Sequence, residues 1–148
     1  MNSHWEKELI SDEDKLFCFI HKVNVNFKKD NKPRAAAFQN TPKEGNNLSC
    51  DWSKYATPQE TRLRVGKQFR TSTTEFKNPE LFGVVQFDVA VLRSDELSQQ
   101  VEHDPIFHEP EILGQPNNRA HAVIIGEKDE ETRLKMVDLS QWCIEPIP

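Results

Sequence analysis

The sequence predicts an α+β fold: a single compact domain with a mixed or mostly antiparallel sheet of about five strands and two or three helices. Three observations predict it. The chain has 148 residues, 36% of them hydrophobic, with nine Phe and three Trp, which suits one core and is too apolar for a disordered chain. Its apolar runs are short and are separated by clusters of Pro, Gly and Asn, the punctuation of strands and turns. Helix signals fall unevenly between these runs instead of after each one, which argues against a doubly wound sheet.

Residues 1–14 form an acidic lead-in, and the domain is expected over 15–148. Leu16-Phe17-Cys18-Phe19-Ile20 is an apolar run ending at His21 and reads as a buried strand. Ala35-Ala36-Ala37-Phe38 reads as a short strand, stopped by the turn residues from Asn40 to Asn47. Leu48-Ser49-Cys50-Asp51-Trp52 alternates and reads as the next strand. Thr57-Pro58-Gln59-Glu60 is a capping box with Pro at the first helical position, so a helix is expected from Pro58 to about Phe69, weakened in its second half by Gly66. Loss of the Thr57 cap is expected to cost about 1 kcal/mol.

The longest strand signal is Phe82 to Leu92. There Val85, Phe87, Val89 and Val91 share one face by the period of two. Residues 93–118 read as a short helix or turn and then a Pro-punctuated loop. His121-Ala122-Val123-Ile124-Ile125 is a buried strand closing at Gly126. Asp129 can cap a last helix to about Gln141, supported by Asp129–Arg133 and Glu131–Lys135 pairs. Trp142 to Pro148 reads as an edge strand.

The net charge of −5 is unevenly spread: −4 over residues 1–14, +8 over 15–78 and −9 over 79–148. The basic and acidic segments can match within one fold, and the lysines are dispersed with no nucleic-acid motif, so nucleic acid is not the favoured partner. No apolar run approaches the ~18 residues needed to cross a bilayer. The first residues show neither a basic nor an apolar leader region. Cys18, Cys50 and Cys143 are far apart, odd in number and free of any C-x-x-C pattern, so three reduced thiols in a cytoplasmic protein are expected.

The blocks Leu16-Phe17-x-x-x-His21, Ala37-Phe38-x-x-Thr41-Pro42-Lys43 and Leu48-Ser49, followed by Gly83-Val84, Asp104-Pro105 and His121-Ala122-Val123, together resemble a widespread family of small, uncharacterised bacterial proteins. The resemblance spans roughly residues 16–125 as short matches and implies no activity. Two positions depart from the family pattern: Cys18 stands where it has arginine, and Lys22 where it has proline.

His21 and His121 each end or begin a strand, where side chains reach clefts, and Ser49 lies just inside another strand. Two imidazoles and a hydroxyl can perform general acid–base work near pH 7. Arg119, two residues before His121, can hold an anion. If the protein is an enzyme, His21 and His121 are the expected acid–base pair and Ser49 and Arg119 the substrate contacts. The bland alternative gives each histidine one bond to a strand-end carbonyl. His103-Asp104 and His108-Glu109 have no metal-ligand spacing and read as solvated loop residues. Nothing calls for a metal or cofactor, and five glycines exclude a Gly-rich nucleotide loop.

The leading expectation is a small cytoplasmic bacterial binding or accessory protein. Its polarised charge favours a protein partner with a charged surface, with no membrane association. The alternative is a metal-independent RNA- or nucleotide-directed enzyme, or a toxin-like domain, using His21 and His121. Whether the protein is an enzyme stays open at this level.

Overall fold

A computed structural model describes residues 5–42 and 45–148. Six strands form one antiparallel sheet: β1 (Lys15–His21), β2 (Leu48–Trp52), β3 (Phe82–Asp88), β4 (Gln100–His103), β5 (His121–Ile125) and β6 (Gln141–Ile144), in the order β4-β5-β2-β1-β3-β6. Three helices join them: α1 (Pro58–Val65), α2 (Val89–Arg93) and α3 (Glu130–Leu139). The whole is a single α+β domain.

Alternation along the central strands assigns the two faces. Leu16, Cys18 and Ile20 of β1, Cys50 and Trp52 of β2, and Val85 and Phe87 of β3 point into the main core. Met136 and Val137 of α3 and Phe38 close that side. Ile10 joins the same core, and Trp52 Nε1 donates to Asp14 at 2.8 Å, which ties the acidic segment before β1 to the sheet. On the opposite face lie Phe17, Phe19, Ser49, Asp51 and His121. There α1 covers part of β1 and β3, with Thr61 and Val65 buried beneath it.

The capping box at α1 is complete: Thr57 Oγ1 accepts from the Glu60 amide at 3.2 Å, and Glu60 accepts from the Thr57 amide at 3.0 Å. The helix ends sooner than expected, at Val65, with Gly66 as its C-cap. Asp129 caps α3 by accepting from the Thr132 amide at 2.8 Å. The Glu131–Lys135 pair forms, while Arg133 donates instead to the Lys128 carbonyl. The edge strand expected over Trp142 to Pro148 forms as β6 but ends at Ile144.

Four local expectations need correction. Ala35–Phe38 is a turn of 3₁₀ helix, not a strand; three alanines have little to bury on a pleated sheet and suit helical backbone. The long strand stops at Asp88 and turns into α2, because the carbonyls of Asp14 and Asp12 accept the amides of Val89 and Ala90. The loop of 93–118 contains β4, which pairs with β5 from Gln100↔Ile125 to His103↔Ala122.

The fourth correction concerns the thiols. Cys18 and Cys50 form a disulfide, leaving Cys143 as a thiol. The register Leu16↔Trp52 and Phe17↔Asp51 sets Cys18 across from Cys50. Their Cα atoms are 4.6 Å apart, the spacing of a directly opposed pair in an antiparallel ladder. The chain therefore holds one disulfide and one thiol where three reduced thiols were expected, and cysteine usage no longer points to a reducing compartment. Burial raises the Cys143 thiol above its ordinary pKa, and its Sγ donates to Gln86 at 3.4 Å. No helix is long and apolar enough to cross a membrane, among the described residues.

Candidate functional site

The face of the sheet away from the main core floors an open cleft of about 1600 Å³. Phe17 and Phe19 of β1 and Ser49 and Asp51 of β2 lie along its floor, with His121 at the start of β5. The segment after α1, from Gln68 to Lys77, makes one wall, and residues around Asn40 and Gln115 make others. An apolar floor with polar side chains converging on it is the usual build of a ligand site.

Asp51 organises the floor. It is 6% exposed, and buried carboxylates persist only when satisfied. One oxygen accepts from Asn118 Nδ2 at 2.7 Å. The other accepts from Thr61 Oγ1 at 2.8 Å and pairs with Arg64. These bonds draw α1 and the segment leading into β5 together over β2. They also fix the Arg64 side chain, which is 18% exposed and borders the cleft. Arg62, two residues earlier, faces elsewhere and donates to the carbonyls of Pro79 and Phe82.

His121 stands beside Asp51 in the register and is 8% exposed. Its Nδ1 donates to the Asp104 backbone carbonyl at 2.7 Å, with the Asp104 carboxylate 3.5 Å away. A carbonyl can only accept, so Nδ1 carries a proton, and in the neutral ring Nε2 is then an acceptor. Nε2 lies 3.0 Å from Ser49 Oγ, which donates to it when the ring is neutral. Hydrogen bonding to His121, then the positive charge that His121 carries when protonated and that of Lys7, hold the Asp104 carboxyl below its ordinary pKa against the opposing effect of burial.

Compared with known proteins, the chain matches no family model, no curated protein and no solved structure.

Of the residues singled out in the sequence, Ser49 and His121 meet directly. His21 lines the same cleft. However, His121 pairs with Asp51 and Asp51 with Phe17, four residues before His21, which separates the two histidine backbones by roughly 16 Å at usual strand spacings. The His21 Nδ1 accepts from the Val23 amide at 3.1 Å, and its ring meets the Phe82 ring edge-on. Burial first, then the charges of Lys22, Lys77 and Arg70, lower its pKa.

Arg119 lies away from the cleft. Its guanidinium sits 4.2 Å from the Tyr55 ring centroid and 4.0 Å from Glu8 Oε2, on the side of the sheet that carries Trp52. His103, expected in a solvated loop, is in β4 and 1% exposed. Its Nδ1 accepts from the Glu8 amide and its Nε2 donates to the Arg119 carbonyl. His108 is exposed in the loop, and no three metal-ligating side chains gather among the described residues.

One buried cation borders this region. Lys128, 9% exposed, donates to Asn40 Oδ1 at 2.6 Å and to the carbonyls of Ile124 and Gly126. Asn40 also donates to Gly126, so the cage ties the wall of the cleft to the end of β5. Burial lowers the Lys128 pKa from 10.5 to about 8. Between these values the unfolded chain binds more protons than the folded one, so stability from this group rises with pH and is lost as pH falls through about 8. Wild type should therefore gain stability relative to Lys128→Met between pH 8 and 10.5. Urea unfolding of both proteins across that range checks this, and parallel curves would refute it.

Proposed function

We propose that this protein is a binding protein whose cleft captures a small ligand through an anionic group. The observation that carries this reading is Arg64. Asp51 is the hydrogen-bond partner of its guanidinium among the described residues, and that bond uses one terminal nitrogen. Arg64 lines the cleft that Ser49 and His121 also line. A guanidinium fixed from behind by a carboxylate loses little side-chain freedom on binding, and its planar fork suits a carboxylate or phosphate. Arg70 and Lys77 on the wall add positive charge, partly offset by the Arg70–Glu75 pair. Phe17, Phe19 and Phe82 supply apolar contact for the rest of the ligand.

On this reading the binding role expected from composition is exercised at the cleft. A protein partner with a charged surface fits the same chemistry if it presents a carboxylate side chain to Arg64. The Cys18–Cys50 disulfide favours an oxidising setting over the cytoplasm.

Amide NMR spectra with added succinate, phosphate or adenosine monophosphate test the reading. At least one of these anions should shift the amides of Ser49, Asp51 and His121. The Arg64→Met variant should bind at least tenfold more weakly, while Arg133→Met on α3 leaves binding unchanged. An absence of cleft shifts with every anion at millimolar concentration would refute it.

A second reading, an enzyme, is favoured by the Ser49–His121 hydrogen bond. The separation of His21 from His121 moves that chemistry away from a histidine pair.

A further inference from the structure

We propose that Ser49, His121 and Asp104 form a nucleophilic centre that hydrolyses esters bearing an anionic group, the anion being held by Arg64. The inference rests on the anion-binding reading above and adds a reaction to it.

The hydrogen-bond polarity carries the proposal. The Asp104 backbone carbonyl accepts a hydrogen bond from Nδ1–H at 2.7 Å, so in the neutral ring Nε2 is the base, 3.0 Å from the Ser49 hydroxyl. This is the relation of nucleophile, base and orienting group required for an activated serine. The other two histidines with described ring contacts lack it. His103 bonds backbone groups through both ring nitrogens, and His21 accepts a backbone amide. Only His121, among these three, meets a hydroxyl that borders a cleft.

The surroundings suit the reaction. His121 is almost wholly buried, so the imidazolium formed during attack needs a nearby negative charge. The Asp104 carboxylate, 3.5 Å from Nδ1, supplies it. Ser49 is half-buried on the cleft floor, where substrate can reach it. Asp51, which fixes Arg64, is two residues along the same face, roughly 7 Å away at strand rise. An anion on Arg64 therefore places a carbonyl a few bonds away over Ser49.

In the acylation step Ser49 Oγ attacks the ester carbonyl carbon and its proton passes to His121 Nε2. The carbon–oxygen bond to the leaving alcohol then breaks, and Nε2 returns the proton to that oxygen. Water attacks the acyl-serine, gives a proton to Nε2, and the acyl–Oγ bond breaks. Nε2 returns the proton to Oγ, and the acid product leaves as a carboxylate with release of the last proton.

The test uses the full chain with a fluorophosphonate probe, which labels activated serines by losing fluoride, and two 4-nitrophenyl esters. One ester, mono-4-nitrophenyl glutarate, carries a carboxylate, and the other, 4-nitrophenyl butyrate, does not. Peptide mass spectrometry should find the probe on Ser49. The glutarate ester should be cleaved at least tenfold faster than the butyrate ester, with Ser49→Ala falling to the buffer rate. Arg64→Met should remove the preference for the anionic ester while still reacting with the probe. An unlabelled Ser49, or equal ester hydrolysis by folded Ser49→Ala, would overturn the proposal. If succinate still shifts the cleft amides in that case, the nucleophile fails and the binding site stands. The labelling needs no variant, so it decides the matter even if Ser49→Ala does not fold.

Discussion

Replacing Cys18 and Cys50 together with alanine should lower the unfolding free energy by about 3–4 kcal/mol. The crosslink joins residues 32 apart in the chain, and the chain-entropy model gives about 3.7 kcal/mol for a loop of that size. The sheet gives reason to expect the full effect. β1 pairs with β3 over its whole length, from Lys15↔Asp88 to His21↔Phe82. With β2 its ladder holds only Leu16↔Trp52 and Phe17↔Asp51. The disulfide takes over at the next position, so it carries a join that elsewhere in the sheet is made by backbone hydrogen bonds. Phe17, Phe19, Ser49 and Asp51 lie on the reverse of this join, so the cleft floor should loosen with it. Urea unfolding of the double variant, and of wild type with and without reductant, measures the effect. A change below about 1 kcal/mol would show that the strands are held by packing alone. Cys143→Ser, whose thiol lies outside the crosslink, should leave the reductant effect unchanged.

The central strands were legible because their apolar positions recur with a period of two or run without interruption: Leu16–Ile20, Leu48–Trp52 and His121–Ile125 each became a strand near the expected bounds. The failures have physical causes outside the local pattern. Val89 and Val91 continue the alternation of β3, yet their backbone is helical because Asp12 and Asp14 present carbonyls to it. β4 offers only Val101 and His103 to the interior, with Gln100 and Glu102 exposed, so it carries a weak apolar signal. Its pairing with β5 is a long-range event. The disulfide was hidden for the same reason, since the β1–β2 register is invisible in two separate segments.

The candidate site divides along similar lines. Ser49 and His121 could be picked out as polar residues at strand ends. Asp104 and Arg64 could not, because they reach the site only when the end of β4 and α1 fold against β5 and β2. Arg119 misled because nearness to His121 in sequence does not bring a residue of the entering loop to the same face. The chain turns at 119–120, sending Arg119 to Tyr55 and Glu8. Asp51 was visible beside Ser49, but its role as acceptor for three side chains depends on partners 10, 13 and 67 residues away.

That hub predicts the second large effect. Asp51→Asn should destabilise the protein by about 3 kcal/mol, the lower end of the range for breaking a buried ion pair, because Arg64 keeps access to solvent through the cleft. The new amide can still accept from Asn118 or Thr61, but its NH₂ group faces the guanidinium and leaves that charge uncompensated. Arg64→Met in the same chain removes the stranded charge while keeping the volume. The double variant should therefore be more stable than Asp51→Asn alone, with a coupling energy of about 2 kcal/mol between the two positions. Anion binding should follow a different rule. Asp51→Asn leaves Arg64 charged but no longer held toward the cleft, so affinity should weaken by loss of preorganisation, whereas Arg64→Met should abolish it with or without Asp51. Unfolding curves for the four proteins, paired with NMR titrations by the same anion, separate the two effects. A coupling energy near zero would mean that Arg64 is solvated independently of Asp51, and the fixed guanidinium that makes this cleft an anion site would be lost with it.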